Sequence, residues 1–226
     1  GKEEAVAAVV VTYTPKNWYR DLQMILDMVR SNGMPGTVAS TQQVELFVAG
    51  PDLEYSAEFP QPRLGAGAFI ECIDHLYRVV TRGQRLRMTV LGKPHLPTFA
   101  CAEKILAART PNGRRPHRIY MVGDNPVTDI KGANHSGAHW RSVLVHTGLF
   151  QPKPLEGGAK GPAYTDKWEN GGNDLRNPAD VVAANVNDAV EAILDMEGDC
   201  HEYNDHCNVN DKIICGSLVR SEFPYA

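Results

Sequence analysis

The sequence contains no apolar run approaching the roughly 18 residues that a membrane-crossing helix needs, so a helical span and a membrane partner are not expected. It has no basic excess either. Its 23 Lys and Arg against 27 Asp and Glu leave a net charge of −4, without the stripe of positive charge that neutralises phosphates, which excludes nucleic acid as the main partner. Arg82, Arg85 and Arg87, and Arg114, Arg115 and Arg118, form patches too short for a binding surface and read as solvated loop charge. Cysteine is scarce and odd in number, five in 226 residues, which argues against a disulfide framework and for a reducing, intracellular compartment. No signal-peptide pattern is visible, because the opening GKEEAVAAVVV carries acidic residues near its front. There is no initiator Met, as expected of a processed product or a piece of something longer, and no internal repeat is evident.

What is present is the composition of an ordinary globular protein, 42% hydrophobic and 22% charged, long enough for one large or two small domains. Ala5 to Tyr13 is Val-rich and predicts a buried strand. Asn17 can cap a helix in which Trp18, Leu22, Ile25, Leu26 and Val29 recur at helical spacing up to Gly33. Val44 to Ala49 predicts a second strand, and the alternation is that of a βαβ unit in a parallel or mixed sheet. Leu53 to Leu64 reads as irregular. Gly65 to Thr81 predicts a helix with Phe69, Ile70, Ile73, Leu76, Tyr77 and Val80 on one face. A short strand at Met88 to Leu91 and a helix from about Thr98 to Ala108 follow. Further strands are expected at Ile119–Val122, Ser142–His146 and Val181–Val186, with a last helix over Ala189–Met196 capped by Asn187. Phe150 to Pro178 is rich in Gly and Pro with little periodicity, as in a mobile or functional loop.

The stretch Arg118 to Asn134, RIYMVGDNPVTDIKGAN, concentrates the chemistry. Its apolar run stops at Gly123 and is followed by Asp124 and Asp129, an order that places carboxylates at the C-terminal end of a strand, where open α/β sheets hold their ligands. Two carboxylates five residues apart on such a turn suit a hard cation with oxygen ligands, Mg first among them. They equally suit Asp124 as a helix cap with Asp129 solvated on the first turn. Lys93 stands in Gly-Lys-Pro at the end of a short strand, with Pro94 holding the chain out of helix at that point. One crossover before the acidic turn, a lysine there can offset the charge of a phosphate and a carboxylate brought together.

These segments resemble a known family. Leu91-Gly92-Lys93-Pro94, Tyr120 to Pro126 and Thr128-Asp129-Ile130 are similar to the third and fourth motifs of the haloacid dehalogenase-like hydrolase superfamily, with Ser142 to Val145 and Thr147-Gly148 in keeping. Gly50-Pro51-Asp52, Pro62 to Phe69 and the Val9-Val10-Val11 strand resemble the α/β cap of its NagD-like subclass, and the combination is most similar to the cat-eye-syndrome critical region five family. The resemblance runs from about residue 5 to 196. It implies a partial doubly wound, Rossmann-like α/β hydrolase core with a partial α/β cap: residues 1–88 as the later portion of the cap, 89–198 as the second half of the core, and 199–226 as a polar tail. It implies phosphoryl transfer from small phosphorylated metabolites through an aspartyl-phosphate, in mitochondria or cytoplasm. Lys93 would stabilise the nucleophile and phosphate, Asp124 would bind Mg with Asp129 supporting it directly or through water, and Asp52 and Asn125 would contact substrate.

The chain departs from that pattern in three respects. No Asp-x-Asp occurs at the end of an apolar strand, and the family's second motif is missing with it, so the chain is expected to begin inside the cap and to carry no nucleophile. Ala49-Gly50-Pro51-Asp52 stands where the cap motif usually reads Thr-Asn-Pro-Asp. The 226-residue chain alone is therefore expected to be inactive, as a fragment or one half of an assembly, with a homo-oligomer or a separate N-terminal half as partner. The alternative is a non-catalytic protein that keeps the hydrolase fold for binding or assembly. Without a neighbour, the Ile119–Val122 strand would present an unpaired apolar edge. Cys200, His201, His206, Cys207 and Cys215 are spaced unlike common zinc sites and read as tail. His135, His139 and His146 either line the cleft or sit at the surface and at helix ends.

Overall fold

The computed structural model describes residues 4–110, 113–157 and 161–199; the Cys/His-bearing tail from residue 200 lies outside them. The chain is α/β, with two parallel three-stranded sheets built in succession. In the first, β1 (Ala8–Val11) pairs with β2 (Glu45–Val48), which pairs with β5 (Thr89–Val90). The connection from β1 to β2 is α1 (Trp18–Val29), whose first turn is closed by Asn17 Oδ1 accepting from the Arg20 N–H at 3.1 Å. Beyond it Gly33 has φ +96°, and a Cβ there would lie 2.6 Å from the Val6 carbonyl, so only glycine lets this loop dock on the start of the sheet. The link from β2 to β5 contains α2 (Ala66–Val80).

Leu26, Val29, Leu46, Val48, Phe69, Ile73 and Tyr77 form one core between α1, α2 and this sheet, with Trp18 edge-on to Phe69 at 5.4 Å. The buried face of α2 is narrower than its periodicity suggests. Val80, the last residue of α2, is 45% exposed. Residues 53–64 are not wholly irregular: β3 (Glu54–Tyr55) and β4 (Arg63–Leu64) pair antiparallel across a proline-bearing loop. Two-residue strands are too short to show an alternation in sequence.

The second sheet has the order β6 (Ile119–Gly123), β7 (Trp140–Val145), β8 (Val181–Ala183), all parallel. Both faces of β7 are covered, which is why it reads as a nearly continuous apolar run. Val143 and Val145 pack toward α5 (Val186–Asp199) with Ala189 and Ile193, while Leu144 packs with Ile130 on the other face. Trp140 meets Phe99 of α3 (Leu96–Arg109) at 5.1 Å, near Ala133 of α4 (Lys131–His135). Among the described residues β6 pairs only with β7, so it is an outer strand carrying half-buried Met121 and Val122, as the sequence led us to expect.

One further expectation changes: α5 is capped by Asn185, whose Oδ1 accepts from the Asp188 N–H at 3.1 Å, while Asn187 lies inside the helix and bonds to Glu191. Arg82, Arg85, Arg87, Arg114 and Arg115 are exposed, Arg115 pairing with Glu103, and Arg118 is half-buried and pairs with Glu197. The long loop before β8 holds two short 3₁₀ turns, Tyr164–Lys167 and Glu169–Gly172, and a bridge between Pro154 and Trp168.

Since Phe69 is fully buried against Trp18, Phe69→Ala is expected to destabilise the protein by about 3–5 kcal/mol. Chemical denaturation checks this, and a loss under about 1 kcal/mol would show that the first core does not depend on that ring.

Candidate functional site

The residues assigned to the phosphoryl site from sequence all follow the C-terminal end of a parallel strand. Asp52 follows β2, Lys93 follows β5, and Asp124, Asn125 and Asp129 follow β6. The first two leave one sheet and the last three leave the other, so the site lies where two sets of strand ends face each other.

The turn after β6 is a five-residue π turn, Pro126–Ile130. Its cap is Asn125, not Asp124: Asn125 Oδ1 accepts from the Val127 N–H at 3.0 Å and its carbonyl accepts from the Asp129 N–H at 2.9 Å. Pro126 fits the first position because no N–H is needed there. Asp129 is not solvated but buried, 3% exposed. Its Oδ2 accepts from the Asn125 N–H at 3.2 Å and its Oδ1 from the Lys93 ammonium at 2.5 Å. Gly123 is required by this arrangement, since a Cβ there would lie 2.3 Å from Asp129 Oδ2.

Lys93 reaches across from the first sheet. Gly92 permits its approach, because a Cβ would come within 2.3 Å of the Ala49 carbonyl. Burial by itself would lower the Lys93 pKa, but the hydrogen bond and charge of Asp129, with the charges of Asp52 and Asp124 beyond, outweigh it and hold the value above the usual 10.5. Asp52 therefore belongs to the same electrostatic neighbourhood, while its carbonyl accepts the Gly67 N–H at 2.9 Å at the start of α2.

Asp124 is held by main chain that sequence reasoning did not single out. Its Oδ2 accepts from the Leu149 N–H at 2.7 Å and its carbonyl from the Phe150 N–H at 3.1 Å, both just after Gly148. A Cβ at Gly148 would lie 1.8 Å from that Oδ2. Only the Thr147-Gly148 pair hints at this contact in sequence, because backbone N–H donors leave no compositional trace.

The histidines do not join the site. His135 bonds to the Lys131 carbonyl, and His139 to Glu103. His146 contacts the Tyr164 hydroxyl and the Gly172 carbonyl, both at 2.7 Å, and burial lowers its pKa. It anchors the long loop. Thr128 Oγ1 is buried without a hydrogen-bond partner among the described residues.

Among the described residues no group of three or more His, Cys, Asp or Glu side chains is close enough to hold a metal ion. As an oxygen donor Asp124 suits a hard cation: only its Oδ2 has a partner among the described residues. Asp129 has both oxygens engaged, so it fits a supporting position better than direct ligation.

Residues 90–167 match the HAD-hydrolase-like family, a span that contains Lys93, Asp124 and Asp129. Over 168 residues, 72% of this chain, the sequence is 38% identical to a cardiolipin synthase (CMP-forming)/mitochondrial hydrolase fusion protein of Schizosaccharomyces pombe, covering 27% of that protein. It is 32% identical over 169 residues, 63% of this chain, to a mitochondrial hydrolase of Saccharomyces cerevisiae, covering 47% of it. The chain thus spans between about a quarter and a half of the length of these relatives. A hypothetical protein from Pyrococcus horikoshii shares the fold, with a TM-score of 0.51 at 22% identity over 83% of this chain and 54% of its own.

Two expectations follow from the geometry. Gly148→Ala should force Asp124 off the Leu149 N–H and cost about 1–3 kcal/mol, seen as loss of hydrogen-exchange protection at the Leu149 amide. Retained protection would mean that the loop moves instead. Lys93→Gln should destabilise the protein by stranding buried Asp129. Because the folded pKa of Lys93 is raised, that difference from wild type should be fully present below pH 10.5 and shrink as pH climbs through the raised value. Urea titrations of both proteins across that range test it.

Proposed function

From a chain that carries a HAD-hydrolase-like segment, we propose a phosphatase-type hydrolase, or the C-terminal part of one, that acts with Mg on small phosphorylated metabolites. The observation that carries this reading is the Lys93–Asp129 pair, which sets an ammonium beside Asp124 at facing strand ends. The names of the relatives support the hydrolase class and, for the two fungal proteins, a mitochondrial location. A relative from Xenopus laevis, 32% identical over 98 residues, 43% of this chain, is named as a phospholysine phosphohistidine inorganic pyrophosphate phosphatase; the matched part is 31% of that protein. Among the described residues no helix is long and apolar enough to cross a membrane.

In this reading Lys93 draws the phosphoryl group into place and offsets its charge, at a position fixed by Asp129. The Leu149 N–H and Gly148 hold the Asp124 carboxylate in one orientation, with Asp129 supporting the turn from beneath. Asp124 would hold Mg, which when bound neutralises phosphoryl and carboxylate charge. Asn125, after β6, and Asp52, after β2, would be the substrate contacts. The 226 residues contain no Asp-x-Asp, so the attacking carboxylate of an aspartyl-phosphate route would come from outside them. The cap reading of residues 1–88 and the core reading of 89–198 belong to the same proposal. That missing motif also favours the second reading, a non-catalytic binding or assembly protein on the hydrolase fold.

The test is Mg binding by calorimetry on the 226-residue protein and on Asp124→Asn. We expect the substitution to weaken binding about tenfold or more. An unchanged isotherm would sink the metal assignment. Robust Mg-dependent phosphate release by the wild-type chain alone would overturn the requirement for an outside nucleophile, and with it the non-catalytic reading.

A further inference from the structure

The segment that holds Asp124 is itself held at His146. Leu149 and Phe150 donate their N–H groups to the Oδ2 and the carbonyl of Asp124. Their segment leaves the end of β7 at His146, whose main-chain N–H donates to the Ala183 carbonyl of β8 at 3.3 Å. The His146 ring then ties into the long loop at two points. Its Nδ1 lies 2.7 Å from the Tyr164 hydroxyl and its Nε2 lies 2.7 Å from the Gly172 carbonyl. Phe150 packs against the ring with centroids 5.8 Å apart, and Tyr164 and Trp168 close around it at 5.5 and 6.1 Å. Gly172 has φ +77°, and a Cβ there would lie 2.5 Å from His146 Cε1, so the loop is shaped to the imidazole.

These bonds admit one protonation state without rearrangement. A carbonyl can only accept, so Nε2 carries the hydrogen and Nδ1 accepts from Tyr164. Burial raises the pKa of the Tyr164 phenol, which keeps it a donor. A second proton on the ring would sit on Nδ1 and face that hydroxyl, which would have to turn its own hydrogen away. The new charge would also lack a counterion. The charged residues on the elements around the ring are Lys153, Asp166, Lys167 and Glu169 in the long loop, Asp188 in the first turn of α5, and Asp124 across the segment. None of them bonds to the imidazole, and Asp188 acts on Tyr164 instead. Burial accordingly lowers the His146 pKa below the usual 6.5, outweighing the Gly172 hydrogen bond.

We propose that His146 is a positioning residue for Asp124: its neutral ring locks the 147–150 segment to the long loop, and its protonation loosens the two N–H groups that orient the carboxylate. The consequence for metal rests on the role given to Asp124 under the proposed function; the lock itself does not. Groups behind a metal ligand fix its orientation and through it the affinity. Because the folded pKa of His146 is lowered, the lock is fully present above pH 6.5 and is lost as pH falls through the lowered value.

The experiment measures hydrogen-exchange protection at the Leu149 and Phe150 amides, and Mg binding by calorimetry, at about pH 7.5 and about pH 5.5. The proteins are the wild-type 226-residue chain, His146→Gln and His146→Leu. Glutamine supplies a donor for Gly172 and an acceptor for Tyr164 but does not titrate. On acidification the wild type is expected to lose about tenfold in protection factor at both amides and about tenfold in Mg affinity. His146→Gln should keep the tight values at both pH values, and His146→Leu should give the loosened ones at both. A pH dependence that survives in His146→Gln, or wild-type protection unchanged by acid, overturns the lock, and this comparison decides even if His146→Leu does not fold. Mg binding indifferent to pH while the amides loosen overturns the positioning role. No Mg binding at either pH overturns the metal assignment of Asp124, while the amide pattern still decides the lock.

Discussion

Among the described residues a single ion pair joins the two three-stranded sheets. Asp129 is buried in the turn after β6, and a buried carboxylate is tolerated only when its charge and lone pairs are met. Lys93 meets the charge and the Asn125 N–H meets the other oxygen. The lysine is itself more than a third exposed, so the pair has one dry end and one wet end. The dry end locks the geometry. The wet end leaves the ammonium facing solvent, where an anionic ligand can arrive. Withdrawing Lys93 would strand Asp129, so the end of the first sheet cannot drift from the turn of the second without a large penalty.

Glycines make the close approaches around that pair feasible. Gly123 admits the Asp129 carboxylate, Gly92 lets the chain pass the end of β2, and Gly148 lets Leu149 present its N–H to Asp124. Each is a place where a Cβ would occupy space already taken by a functional group or by backbone. The result is that Asp124 and Asp129, five residues apart, have divided roles. Asp129 is consumed internally by lysine and backbone. Asp124 is anchored through one oxygen, with no protein partner on the other among the described residues.

The same loop that anchors Asp124 continues into the long segment before β8, where His146 ties Tyr164 and Gly172 down and packs near Phe150 and Trp168. This accounts for a stretch that looks structureless in composition yet forms an ordered wall. On the opposite side of a cleft lined by Gly148, Leu149 and Gln151, the β3–β4 hairpin supplies Phe59 and Glu58. Neither wall is regular enough to announce itself through periodicity.

The sequence by itself determined the alternation of strands and helices, the placement of Lys93, Asp124 and Asp129 after strands, and the similarity to haloacid dehalogenase-like hydrolases. It could do so because apolar periodicity and strand-to-turn transitions are local and leave a direct imprint on residue order. Helix boundaries shown by capping were legible at Asn17 but not at Asn185, where two asparagines flank Val186 and only the position of the first helical turn chooses between them. What tertiary structure alone decided was partnership. Whether Asp124 caps a turn or receives the Leu149 N–H, and whether Asp129 is solvated or buried against Lys93, depends on segments 25 and 36 residues away. Main-chain donors have no residue identity, and a carboxylate reads the same in sequence whether water or a lysine from another sheet meets its charge. Long-range geometry therefore assigned the roles to groups whose chemistry the sequence had already supplied.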